Sequence, residues 1–170
     1  HARANRWLGR VLFMPSLTPY SLWEVGHNIA HHGYTNLKGR DYVWAPMSKM
    51  EFDASPKWRQ RLERIYRHPT GFGLYYLIEL WWKRLLFPRR VYVGARRAIH
   101  TLDCFAVLAT AVAWSFLLTT VGRHIGVSLG EVLLWCIAIP FASWNALMGF
   151  VIYVQHTHPS IRWFASRTQW

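Results

Sequence analysis

Acidic residues are scarce in this sequence. Eight Asp and Glu stand against 20 Lys and Arg, for a formal net charge of +12 and a pI of about 10.4. That excess leaves a polyanion, either nucleic acid or an anionic membrane surface, as the natural partner. Cysteine is equally rare: Cys104 and Cys136 lie beside or inside apolar runs, which gives no disulfide framework and no thiolate zinc spacing. Charge is missing altogether from Phe105 to Val121, 17 residues, and from Val132 to Val154, 23 residues. Nucleic-acid modules rarely carry such stretches, so no nucleic-acid role is expected and the membrane takes precedence. The sequence has no initiator Met and no signal-peptide pattern, and reads as an internal piece of a longer protein.

What it has in abundance is aromatic side chains, 11 Trp, 8 Tyr and 9 Phe, within a composition that is 52% hydrophobic. Its positive charge is crowded forward. Of the Lys and Arg residues only Arg123, Arg162 and Arg167 lie beyond Asp103. By the positive-inside rule the front of the chain is cytoplasmic. The two charge-free stretches, joined by the short polar turn Gly122 to Glu131, then form a transmembrane hairpin; Pro140 is tolerable in such a helix. A hairpin that crosses and returns delivers residue 155 to the side that holds residues 27 to 104. The expected fold class is therefore all-α, integral membrane helices with interfacial and cytosolic helices that carry histidines. Residues 1–170 are read as one partial domain: an interfacial and cytosolic part (1–104), the hairpin (105–154) and a cytosolic return (155–170).

Along the front part, Pro15 and Pro19 interrupt any long helix, and a helix is expected from about Ser21 to His32 with Gly33 as its stop. Tyr34 to Asp53 reads as a loop. Ser55 to Arg67 has a helical stripe at Trp58, Leu62, Ile65 and Tyr66 with Arg on its other faces, the pattern of a basic helix on lipid headgroups. Phe72 to Phe87 reads as an interfacial helix with Trp81 and Trp82 at headgroup level and Glu79 paired to Lys83. Asp41 and Glu24 are read as loop and surface acids rather than partners of histidine, and Asn145 as a helix–helix contact.

The chemistry gathers in Gly26-His27-Asn28-Ile29-Ala30-His31-His32-Gly33-Tyr34-Thr35-Asn36. On an α-helix His27 and His31 share a face and His32 is turned about 100° away. Imidazole is the commonest neutral metal ligand, so this triplet is a candidate metal site, and the hairpin would bring His156 and His158 to it. A zincin needs H-E-x-x-H, and the residue after His27 is Asn28. Structural zinc normally uses Cys, and a carboxylate di-iron bundle needs Glu-x-x-His, which neither segment carries. A histidine-rich iron centre remains, alongside a non-catalytic membrane protein that binds zinc or copper. No flavin or nicotinamide motif is present, so electrons would come from outside. The Arg-rich stretch 57–97 suits an acidic carrier.

GHNIAHHGYTN resembles the second histidine box of the membrane fatty acid desaturases, whose boxes take forms such as H-x2-3-H-H. GRDYVWAP is similar to the segment just past that box in the acyl-lipid, oleate-type branch, and VQHTHP to the motif ending its fourth transmembrane helix. ANRWLGRVL and YYLIELWWKR share the family's look. The resemblance implies a di-iron centre held by histidines that uses O2 to place a cis double bond in a fatty acyl chain, carried as a lipid or thioester. It implies His27, His31 and His32 as iron ligands, His156 as a further ligand and His158 as an outlying one, and a ferredoxin or cytochrome as electron donor. A lipid hydroxylase or carotenoid ketolase of the same histidine-iron kind remains open. The family's first and third boxes are not in this sequence, so the 170-residue piece alone is expected to bind iron weakly and to be inactive.

Overall fold

The computed structural model describes residues 2–86, 88–89 and 97–170. The last residue of the expected Phe72 to Phe87 helix, and residues 90–96 of the Arg-rich stretch, lie outside the described residues. Every regular element among the described residues is a helix, with a single isolated parallel bridge between Leu37 and Phe164 in place of any strand.

In order, α1 spans Ala2–Phe13 and α2 spans Tyr20–Glu24, running on as a π-helical turn at Val25–His31. Then come α3 (Lys49–Ala54), α4 (Lys57–Arg67) and α5 (Phe72–Tyr75), the last continuing in π-helical form over Tyr76–Leu86. The final pair is α6 (Ala98–His124) and α7 (Leu129–His156), which contains a π-helical stretch at Leu134–Ala138. Both are long and apolar enough to cross a membrane. Only 6% and 17% of their most apolar windows is buried, so Val112, Phe116 and Trp135 face outward, opposite to the pattern of core helices in a water-soluble protein.

The chain packs as two compact units, one of residues 1–24 and 81–144, the other of residues 25–80 and 145–170. In the first, Asp103 is buried and does two jobs. Its carboxylate accepts a charge-assisted hydrogen bond from Arg10 Nε at 2.9 Å and caps α2 by accepting from the Ser21 N–H at 2.9 Å. The α6–α7 turn is closed by Gly126 at φ +76° and by a capping box between Ser128 and Glu131. Trp81 departs from the sequence reading. It is buried, with its indole N–H donating to the Leu17 carbonyl at 2.8 Å and its ring against Phe141, because an indole away from water needs an acceptor that only the protein supplies there. Trp82 stays exposed.

In the second unit the turn into α5 lies against α7. A Cβ on Gly149 would stand 2.3 Å from the Phe72 carbonyl oxygen, and one on Gly73 would meet the Ala146 Cα at 2.9 Å, so two glycines allow backbone to meet backbone. The expected loop after Tyr34 contains one short helix, α3, with a capping box between Ser48 and Glu51. On α4 the charges are sorted. Glu63 is buried between Arg67 Nε at 2.7 Å and Arg59 at 3.5 Å, and Arg59 also reaches Glu79 at 2.6 Å. Arg67 stacks on Trp44, 4.4 Å from the ring centroid, and donates to the Ala45 carbonyl at 2.9 Å. Lys57, Arg61 and Arg64 occupy the exposed face.

Candidate metal centre

Val25–His31 departs from the α-helix that periodicity suggests. The His32 N–H donates to the His27 carbonyl at 2.9 Å, a hydrogen bond five residues long. This wider turn changes which histidines meet. The rings of His27 and His32 come closest, with centroids 4.6 Å apart, whereas His27 and His31 are 5.9 Å apart and His31 and His32 5.4 Å. The α-helical expectation of His27 and His31 together, with His32 turned away, is corrected by that one extra residue of winding. A Cβ on Gly26 would stand 2.6 Å from the Tyr42 hydroxyl, so a larger residue here would push the end of that side chain aside.

The C-terminal end of α7 enters the same unit. The His156 ring centroid stands 5.0 Å from that of His31, edge to face. Metal–nitrogen bonds of about 2.0–2.1 Å put two imidazoles that share an ion at centroid separations of about 4.5–5.5 Å, so the pairs His27–His32, His31–His32 and His31–His156 are each spaced as neighbouring ligands are. His158 lies apart, exposed, with Nδ1 against the Ser160 hydroxyl at 2.7 Å. Among the described residues no three His, Cys, Asp or Glu side chains are already closed around a common ion position.

Two of these imidazoles are held from behind. His31 Nδ1 donates to Asp41 Oδ2 at 2.9 Å, and His156 Nδ1 donates to Asn36 Oδ1 at 3.1 Å. Each bond puts the proton on Nδ1 and leaves the Nε2 lone pair as the metal-binding nitrogen. Asp41 is therefore a partner of the cluster and not the loop acid expected from sequence. Its turn setting, between Gly39 and Pro46, has the composition of any surface loop and carries no sign of burial. It is 1% exposed. Burial alone would raise its carboxyl, but the bonds from His31 and from the Asn36 and Val43 N–H groups outweigh burial and hold it below the usual range, as carboxylate. For His27, burial pushes the imidazole down, the Asn28 amide oxygen at 3.1 Å opposes this, and the nearby His32 and His31 lower it further; the net shift is downward, favouring the neutral form that can bind a metal. The donor set fits iron: clustered imidazoles, two of them oriented by a partner on Nδ1, no thiolate, and a carboxylate behind the His31 ring.

Two helices apolar enough to cross a membrane, and imidazoles from remote stretches meeting where one of them ends, define a histidine-clustered membrane protein. The sequence profile of the fatty acid desaturase family matches residues 1–170, and the chain belongs to that family. It is 29% identical over 167 residues to the sn-1 oleoyl-lipid 12-desaturase of Arthrospira platensis, covering 98% of this chain and 44% of that protein. It is 30% identical over 176 residues to the chloroplastic omega-6 fatty acid desaturase of Brassica napus, covering 95% and 35%. Over 71 residues, 42% of this chain, it is 30% identical to the sn-1 acyl-lipid omega-3 desaturase (ferredoxin) of Synechocystis sp.. The chain spans less than half the length of these relatives. No solved structure matches it significantly.

Proposed function

We propose that the protein containing this chain is an O2-dependent acyl-lipid desaturase that introduces a cis double bond at a di-iron centre. His27, His31, His32 and His156 are the ligands this chain contributes, and His158 is an outlying fifth that would have to leave Ser160. The observation that carries the reading is the 5.0 Å approach of the His31 and His156 rings, which come from stretches separated by most of the chain. Iron supplies the redox chemistry with O2 that removes two hydrogens from a methylene pair, chemistry beyond the reach of redox-inert zinc. The chain's own residues orient the His31 and His156 rings through Asp41 and Asn36, and set the cluster at the end of an apolar helix, beside the lipid that carries the substrate. The remaining ligands belong to the parts of the protein beyond this chain, which explains why no closed ligand set stands among the described residues. The protein is multi-pass, with these histidines on the cytoplasmic side.

The relatives' names point to an acyl chain esterified in a lipid as substrate and to ferredoxin as the donor class. Lys57, Arg61 and Arg64 on the outer face of α4 form a docking patch for such an acidic carrier. The test is lipid profiling of cells that express the complete gene, with and without His31→Ala, together with iron analysis of the purified enzyme. Two irons per chain and a product lost by at least a hundredfold in the variant are expected. Equal unsaturation in both cultures overturns the reading.

A further inference from the structure

The loop after the histidine cluster closes on itself in an unusual way. Asn36 adopts a left-handed backbone, φ +61°, which Asn tolerates better than most residues. In that conformation its N–H donates to Asp41 Oδ2 at 2.8 Å, its C=O accepts from the Phe164 N–H at 3.0 Å, and its side-chain oxygen faces His156. Asp41 is fixed in turn: Oδ1 accepts from the Val43 N–H at 3.0 Å, and its own N–H donates to the Leu37 carbonyl at 2.9 Å. Asp41 Oδ2 is thus shared between the His31 ring and the Asn36 backbone.

From this geometry we infer that Asn36 and Asp41 are positioning residues that set the Nδ1–H tautomer and ring orientation of His156 and His31, so that one short loop aligns histidines from both stretches. The inference builds on the iron reading but concerns the rings themselves. The arrangement is directional. Asp41 acts on His31 directly and on His156 through the Asn36 backbone, whereas the Asn36 amide acts on His156 alone. Removing the amide leaves Asp41 its bonds to His31 and to Val43. Removing the carboxylate frees the His31 ring and the backbone that aims the amide.

The experiment uses the full-length enzyme with 15N-labelled histidine in lipid bilayers. Its metal-free form is read by solid-state NMR for tautomers, and its affinity for Fe(II) is read by chelator competition. Asn36→Gly keeps the left-handed backbone accessible and deletes only the amide, and Asn36→Asp keeps an acceptor. Wild type is expected to show both rings as Nδ1–H tautomers. In Asn36→Gly the His156 ring loses that preference while His31 keeps it, and iron affinity falls 10- to 100-fold. Asn36→Asp restores both, and Asp41→Ala disturbs both rings. If the tautomers in Asn36→Gly and Asp41→Ala match wild type, or if both rings respond alike to Asn36→Gly, the inference is overturned. If the tautomers shift in the expected pattern but wild type retains no iron, the positioning stands and the di-iron reading fails.

Discussion

Glu51 illustrates how much an exposed side chain can be perturbed by its immediate neighbours. The Lys38 ammonium, with the Ser48 N–H and hydroxyl, holds its carboxyl down to about 2, well below the ordinary 4.5. A depressed carboxyl adds stability that is present above the ordinary value and lost as the pH falls toward the folded one. Amide protection of α3, corrected for intrinsic exchange, should therefore fall between about pH 4.5 and 2, and Glu51→Gln should flatten that dependence. High salt should shrink the effect, because the pair is exposed. The histidine triplet was legible from spacing alone. The partners behind it were not: an Asn and an Asp five residues apart in a turn that holds Gly39 satisfy local turn chemistry equally well facing water or facing a ring. Only the remote arrival of His156 and Phe164 distinguishes the two.

Among the elements, α4 shows how a basic helix sorts its charges. Glu63 faces inward between two guanidiniums, and Glu63→Ala should cost about 3 kcal/mol in thermal or denaturant unfolding. The low end of the range for buried pairs applies because the Arg59 and Arg67 side chains remain 19% and 25% exposed. The outward residues predict a different result. Arg61→Glu with Arg64→Glu should slow reduction by an acidic donor at least tenfold at low ionic strength and little at high, and salt-independent reduction in the wild type would exclude the patch as the docking site. Gly149→Ala should destabilise by about 1–3 kcal/mol, seen as a lowered melting temperature, since the Phe72 backbone must move to admit a methyl group. The helical period of α4 was readable, but its buried face was not: of the expected stripe Trp58 and Ile65 are exposed, and Gln60 and Glu63 turn inward beside Tyr66 because Glu63 finds Arg59 and Arg67 as partners. The π-helical turns were not readable either, since a five-residue hydrogen bond leaves no compositional mark and depends on what packs around it.

For the molecule as a whole, the two charge-free stretches were the clearest signal in the sequence, and the helices that contain them extend beyond both. α6 begins seven residues before Phe105, at Ala98, because Asp103 finds Arg10 and Ser21 as partners, contacts that no local window contains. Val112, 71% exposed near the middle of that apolar run, is a direct probe of membrane insertion. Val112→Arg should disfavour the α6 span by about 3 kcal/mol in a glycosylation-mapping assay, while the same change at exposed Lys57 should leave insertion unaltered. The wide turn at Val25–His31 carries a last implication. A box with three residues between its first histidine and the pair, wound to hydrogen bonds spanning five, presents its imidazoles much as a box with two would on an ordinary helix. Gain or loss of one amino acid inside the motif can thus be absorbed by the pitch of the backbone, so ligand geometry can persist through a change in length that would otherwise rotate the pair out of reach.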